Sequence, residues 1–208
     1  GATGFLGSSL VPYLRQGGRR VIESSRRTGS GEQSVLHPRD AIQVGELIDE
    51  HQVTCIVNLA AATDVDRCES DVGMAFEANA DLPRTISCGI LRSKSKPFFV
   101  HLSTDQVYGG TGEHQEQTVN PINVYGLTKL AGELLVDSHH VAILRTNFFG
   151  RSRSIIRASF SDWVVRALRL NERITLFDDV VFSGLHVNTL CEIIDRFISM
   201  RVPGTFNV

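Results

Sequence analysis

The chain has 208 residues, enough for one sizeable core or for one domain with a smaller attachment. Its hydrophobic share of 42% and charged share of 21% describe an ordinary globular composition. A formal net charge of −2 with no long basic run argues against a nucleic-acid surface, and no apolar stretch approaches the roughly 18 residues that span a bilayer.

Cys55, Cys68, Cys88 and Cys191 are far apart and never form C-x-x-C. That spacing disfavours a disulfide framework and a metal site, and fits small apolar side chains in a reducing cytoplasm. In chain order, residues 1–7 predict a glycine-rich turn and 8–16 a helix with Leu10, Val11 and Leu14 on its apolar side. Residues 20–24 predict a short strand, and 25–33, polar and rich in Gly and Arg, a loop. Ile42, Val44, Leu47 and Ile48 give a helical stripe over 41–51. Residues 54–62 form a nearly continuous apolar run, the pattern of a strand buried on both faces. A helix over 74–91, a buried strand over 98–103, a helix over 124–135 and a strand over 141–145 follow. Beyond Gly150 the spacing predicts a helix over 160–170, a short strand over 174–177 and a helix over 187–200.

Alternating strands and helices predict an α/β fold, a doubly wound parallel sheet of the Rossmann type. The expected division is 1–150 as the dinucleotide-binding domain and 151–208 as part of a smaller substrate region, with a helix returning to the sheet. The chain opens inside the glycine-rich turn with no strand ahead of it and ends on Phe206-Asn207-Val208, which reads as a strand cut short. It is therefore expected to be a fragment.

Gly1, Gly4 and Gly7 recur at three-residue intervals. In a dinucleotide fold the first glycine allows a tight turn, the second lets backbone approach a pyrophosphate, and the third lets the helix pack closely on the sheet. The helix that follows offers free N–H groups and a positive dipole end to phosphate. After the next strand, an acidic residue would bond a ribose 2′-hydroxyl, whereas Arg suits a 2′-phosphate. Here Glu23-Ser24-Ser25-Arg26-Arg27 ends in a guanidinium fork, so Arg26 points to NADP, with NAD the other choice.

Tyr125 and Lys129 are four apart on a predicted helix and so share a face. A phenol with a pKa of about 10 is a poor proton donor near neutrality, and a neighbouring ammonium favours its phenolate and eases donation. Some twenty residues upstream, Ser103-Thr104-Asp105 closes a buried strand, and parallel sheets bind ligands at such carboxyl ends. Thr104 is thus the candidate hydroxyl to hold a carbonyl oxygen beside Tyr125.

These residues lie within longer motifs: Val57-Asn58-Leu-Ala-Ala-Ala62 running on to Ser70, His101-Leu-Ser-Thr-Asp-Gln-Val-Tyr-Gly109, Pro121-Ile-Asn-Val-Tyr-Gly-Leu-Thr-Lys-Leu-Ala-Gly-Glu133 and Leu144-Arg-Thr-Asn147. Together, in this order and over most of the chain, they resemble the dTDP-4-dehydrorhamnose reductase family, extended short-chain reductases with a Rossmann domain and a smaller sugar-nucleotide domain. The resemblance implies reduction of the 4-keto group of a dTDP-linked deoxysugar with NAD(P)H, a nucleotide sugar as partner, and room for a homodimer. It implies Thr104, Tyr125 and Lys129 as the catalytic set, with Tyr125 and Lys129 also touching the cofactor, the lysine at the nicotinamide ribose hydroxyls, and Gly4, Phe5, Leu6 and Gly7 around the pyrophosphate. Ala60, Ala61 and Ala62 would line the cofactor's path, and Asp105, Val65 and Asn147 would face the sugar.

His37 stands where the family usually carries an aspartate near the adenine, and Gln106 and Phe148 replace aromatic residues often found beside the substrate. Asn79 is a candidate for shaping the site through water. Asp64, Asp66, Glu69 and Asp71 read as a solvated helix start, His139 and His140 as surface, and Trp163 as core. Two rival readings share the scaffold: a sugar-nucleotide 4-epimerase or dehydratase, and a non-catalytic NADP-binding regulatory subunit like that of methionine adenosyltransferase. Asp105-Gln106 lacks the Asp-Glu pair usual in the dehydratase.

Overall fold

The computed structural model describes residues 1–24, 33–34, 40–137, 139–153, 158–176, 178, 180–181 and 183–208. Arg26, Arg27 and His37 lie outside the described residues. The chain begins with α1 (Phe5–Gln16), β1 (Glu23–Ser24), β2 (Gln33–Ser34), α2 (Ala41–His51) and β3 (Cys55–Asn58). Next come α3 (Val65–Ser70), α4 (Val72–Phe76), a π-helical turn (Glu77–Asp81) and α5 (Leu82–Arg92), then β4 (Phe98–Thr104) and a 3₁₀ turn (Asp105–Val107). The remaining elements are α6 (Val124–Leu134), β5 (Val141–Phe149), α7 (Phe160–Leu170), β6 (Gly184–His186), α8 (Val187–Met200) and β7 (Gly204–Asn207).

The main sheet is wholly parallel. β4 pairs with β3 on one side and β5 on the other. β5 carries β7 along its other edge, and its end, beyond β4, pairs with β6. All seven residues of β4 are buried, and their alternation sorts them into two layers. Phe98, Val100 and Leu102 join Leu10 and Leu14 of α1 and Leu190 and Ile194 of α8 on one face. Phe99 joins Val44 and Ile48 of α2 and Ile86 and Ile90 of α5 on the other. Helices therefore cover both faces, the doubly wound arrangement that strand–helix alternation demands. Among the described residues no helix is long and apolar enough to cross a membrane.

Several expectations need correction. The apolar run at 54–62 is a strand only over Cys55–Asn58, and three of its four residues are half-buried. β3 has β4 as its one neighbour among the described residues. Residues 59–64 leave the sheet and form no regular structure. The first helix starts at Phe5 rather than Ser8, so the third glycine already sits inside it. The strand expected at 20–24 is confined to Glu23–Ser24, Gln33 pairs in β2 instead of ending a loop, and β5 runs on to Phe149. Ile174–Leu176 has no strand structure, because no described segment offers it a ladder; Phe177 lies outside the described residues. Trp163 is 40% exposed rather than core. α7 buries only Ala167, and Trp163 meets the ring of Phe160 at 5.6 Å. His139 and His140 are exposed, and all four cysteines are free.

Candidate active site

At the start of the chain the glycines divide their tasks. A Cβ on Gly1 would stand 2.6 Å from the Leu59 carbonyl carbon, and one on Gly7 would stand 2.3 Å from the Gly1 oxygen. Real side chains do not fit there, so both glycines serve the protein's own packing. Gly4 is different: a Cβ there would meet only the Gly1 oxygen, at 3.3 Å. Its freedom leaves the outer side of the turn open to a ligand. Gly4 also begins α1 without any side-chain cap, so the first-turn N–H groups face outward as an anion cradle. The side chain of Leu6 lies in the core, and only its backbone can serve a ligand. Phe5 leans against Phe148 with ring centroids 5.3 Å apart.

Beyond β3, two buried asparagines pin the alanine segment by its backbone. Asn58 Oδ1 accepts from the Ala60 N–H at 3.1 Å. Asn79 Oδ1 accepts from the Ala62 N–H at 2.8 Å, and its Nδ2 donates to the Ala62 carbonyl at 3.0 Å and to Thr128 Oγ1 at 3.1 Å. Asn79 is 1% exposed and sits in the π-helical turn. The wider turn swings its amide out of the helix toward this segment. The result is a segment of small side chains held in place through its backbone.

Asn58 Nδ2 also donates to His101 Nδ1 at 3.2 Å. That leaves the imidazole proton on Nε2, which is buried and has no partner among the described residues. Burial, with Lys129 adding to it, holds the His101 pKa well below the usual histidine range. The ring is neutral at physiological pH.

α6 brings the phenol and the ammonium to the end of β4. Asn123 Oδ1 accepts from the Gly126 N–H at 2.7 Å and caps the helix, while Glu69 Oε1 accepts from the Val124 N–H at 2.7 Å. The acidic cluster is therefore not merely solvated: Asp64 caps α3 and Asp71 caps α4, while Glu69 holds the helix that bears Tyr125. Gly126 and Gly132 let α6 approach closely. A Cβ on the first would stand 2.1 Å from the Gln106 oxygen, and on the second 2.1 Å from the Asn79 oxygen.

Tyr125 and Lys129 are both buried, 8% and 2% exposed. The Tyr125 ring packs with Cys68 and Ala75, and Ala62, Val65 and Val124 pack against that cluster. Lys129 Nζ donates to the Leu102 carbonyl at 2.5 Å, which leaves two N–H donors. Burial lowers its pKa to about 8, against a smaller raising effect of the Glu133 carboxylate. An ammonium in that range remains charged at neutral pH and still yields a proton readily.

Thr104 closes β4, 4% exposed, and its Oγ1 accepts from the Gln106 N–H at 3.2 Å and donates to Asp105 Oδ1 at 3.3 Å. Asp105 Oδ2 accepts from Asn147 Nδ2 at 3.3 Å. Thr104, Asp105, Asn147, Tyr125, Lys129, Val65 and Ala60–62 thus gather at the carboxyl ends of β3, β4 and β5, with the Gly1–Gly7 turn alongside. Gln106 Oε1 accepts from Asn123 Nδ2 at 2.9 Å. Among the described residues no cluster of metal-ligating side chains occurs.

The sequence reading missed Asn58, His101, Glu133 and Arg145. Glu133 was visible in principle, because it continues the Tyr125–Lys129 stripe by one more helical turn. The others act across the sheet, where sequence spacing carries no signal.

Residues 1–206 match the family described as RmlD substrate binding domain. Over 218 aligned residues the chain is 32% identical to the "Probable low-salt glycan biosynthesis reductase Agl14" of Haloferax volcanii, covering 100% of this chain and 72% of that protein. The crystal structure of a hypothetical dTDP-4-dehydrorhamnose reductase from Sulfolobus tokodaii superposes with a TM-score of 0.86 at 29% identity, over 100% of this chain and 74% of that one. A dTDP-4-dehydrorhamnose reductase from Bacillus anthracis, solved in complex with NADP, superposes with a TM-score of 0.83 at 26% identity, over 100% and 72%.

Proposed function

The chain belongs to the RmlD substrate binding domain family, and from that premise we propose that it is an NAD(P)H-dependent sugar-nucleotide reductase acting on the 4-keto group of a dTDP-linked deoxysugar. NADP, the dinucleotide bound in the Bacillus anthracis relative, is the cofactor of this reading, with NAD the alternative. The observation that carries this reading is the pair Tyr125 and Lys129, buried on one face of α6 against the end of β4. Residues 1–150 serve the cofactor, and 151–208 contribute to the substrate side while α8 and β7 return to the sheet.

The residues present fit a dinucleotide. The backbone of Gly4, Phe5, Leu6 and Gly7 would hold the pyrophosphate at the uncapped start of α1. Gly1 closes the turn behind it, and Ala60, Ala61 and Ala62 supply a floor of small side chains. When bound, the reduced nicotinamide supplies the hydride that goes to the keto carbon. Tyr125 donates its hydroxyl proton to the keto oxygen as that oxygen gains charge. Lys129 keeps an ammonium beside the phenol and stabilises the phenolate that remains. Thr104 turns its hydroxyl proton from Asp105 to the same oxygen; its present 3.3 Å contact is long and weak, so the turn costs little. Asp105, Asn147 and Val65 face the sugar.

The test is direct. Mixing the protein with NADPH and dTDP-4-dehydrorhamnose should bleach the NADPH absorbance, one equivalent per sugar reduced. Tight NADPH binding without oxidation across a panel of 4-keto sugar nucleotides would instead support the regulatory-subunit reading.

A further inference from the structure

Behind the catalytic residues lies an ion pair that the proposed reaction does not use. Arg145 of β5 and Glu133 of α6 have side chains only 5% and 3% exposed, with Nη2 and Oε2 2.6 Å apart. Arg145 Nε donates to both carboxylate oxygens, each at 3.1 Å. Ser103, the residue before Thr104, donates its hydroxyl to Glu133 Oε1. The remaining guanidinium nitrogen leaves the pair altogether. Nη1 donates to the Tyr108 hydroxyl at 2.7 Å and to the Glu116 carbonyl at 2.8 Å, both in the connection between β4 and α6.

That connection is held from its far side as well. The Tyr108 hydroxyl donates to Asn207 Oδ1 at 2.7 Å. Asn207 of β7 donates from its backbone to Glu116 Oε1 and from its side chain to the His114 carbonyl, both at 3.1 Å. The His114 ring stacks on Tyr108, with centroids 4.8 Å apart. One guanidinium thus joins β5, α6 and the β4–α6 connection, with β4 attached through Ser103 and β7 through Tyr108.

A buried ion pair is a poor way to add stability, since an apolar pair of similar volume is often as good or better. What distinguishes this one is where its bonds lead. Tyr125, Lys129 and Glu133 follow one another at four-residue intervals on a single face of α6. Fixing Glu133 therefore fixes the rotation of the helix that presents the other two.

We propose that Arg145 and Glu133 are positioning residues: they lock the rotation of α6, set the surroundings of Lys129, and bind the β4–α6 connection to that same helix. The inference rests on the roles given to Tyr125 and Lys129 above. The titratable groups that act on Lys129 are Glu133, one turn on along its own helix, and the neutral His101 on β4, while the Leu102 carbonyl takes one of its protons. Glu133 is the one anion on the stripe itself, so its carboxylate is what favours the charged lysine.

Three variants and one probe test this. The double substitution Glu133→Leu with Arg145→Met leaves no unpaired charge, so its urea midpoint should return close to wild type. Its kcat should still fall about a hundredfold, because the helix is no longer held in register, while the Kd for NADPH stays unchanged. Arg145→Lys, which keeps the charge but cannot reach both loop acceptors, should fold and lose about tenfold in kcat. A folded double variant or a folded Arg145→Lys with wild-type kcat overturns the proposal. Lysine Cε NMR reads the same question without substrate, and so separates it from the reductase reading. In Glu133→Gln the Lys129 titration midpoint should drop by about half a unit or more. An unmoved midpoint overturns the proposal even if the wild type reduces nothing; a wild type that reduces nothing, with the midpoint moved, overturns only the reductase reading.

Discussion

Burial moves the Lys129 ionisation from 10.5 to about 8, the Glu133 carboxylate offsetting only part of the desolvation. Between those two values the unfolded chain binds a proton that the folded chain has released, so stability rises with pH across that window. Below pH 8 both states are protonated and the full cost is present, about 3 kcal/mol from the shift itself. Lys129→Met removes this dependence. In urea melts the variant's relative advantage should be greatest below pH 8 and shrink as pH rises toward 10.5; a constant difference would show that Lys129 titrates normally. On the proposed mechanism catalysis runs the opposite way, because the phenol needs the ammonium. The kcat/KM profile should fall above an apparent pKa near 8, as Lys129 loses its proton. At this scale the sequence was half legible. The four-residue spacing exposed Tyr125 and Lys129, but the Asn58–His101 contact joins residues 43 apart on neighbouring strands, a register that no local pattern encodes.

α6 works because of what its small residues allow. Gly132 leaves the Asn79 carbonyl no room to spare, and the Asn79 amide is what pins Ala62. Gly132→Ala should therefore push the π-helical turn away and destabilise the fold by about 1–3 kcal/mol in urea melts. NADPH affinity should fall in parallel, since the floor at Ala60–62 moves with Asn79; a variant with wild-type stability and affinity would remove the turn from this account. Asn79→Ala should weaken NADPH binding with less loss of stability, because the helix contact survives while the two backbone bonds to Ala62 vanish. The sequence pattern predicted one helix over 74–91, but it could not see the π turn. One extra residue per turn leaves the hydrophobic spacing on either side intact, and only the buried polar Asn79 at its centre hinted that something other than core packing was at work. α2, α7 and α8 agree with their predicted bounds because each carries a long uninterrupted stripe, with a capping Asp40 at α2 and a Ser159–Asp162 capping box at α7.

Across the molecule, the last helix and strand close the structure on the first. α8 packs against α1 through Leu190 and Ile194, and β7 adds to β5. Arg19 and Asp195 form an ion pair at 2.5 Å between the ends of the chain, with both side chains about one-third exposed. That exposure makes the pair worth little, and the apolar contact carries the closure. Ile194→Ala, at 0% exposure, should cost about 2–5 kcal/mol in a single cooperative transition, whereas Asp195→Asn should shift the midpoint only slightly. Strand–helix alternation made this architecture legible. It failed where a boundary depends on distant partners: the apolar run over 54–62 does not show that the strand stops at Asn58, and 174–176 read as strand because a short apolar run does not reveal whether a ladder awaits it. The central claim is that Tyr125 acts on the substrate and not on the cofactor's grip, and one paired measurement tests it. In Tyr125→Phe, NADPH titration and turnover on a 4-keto sugar nucleotide are read from the same preparation. The account predicts a Kd within about threefold of wild type and a kcat lower by about two orders of magnitude or more. Turnover close to wild type, or an equal loss of binding and turnover, would contradict it.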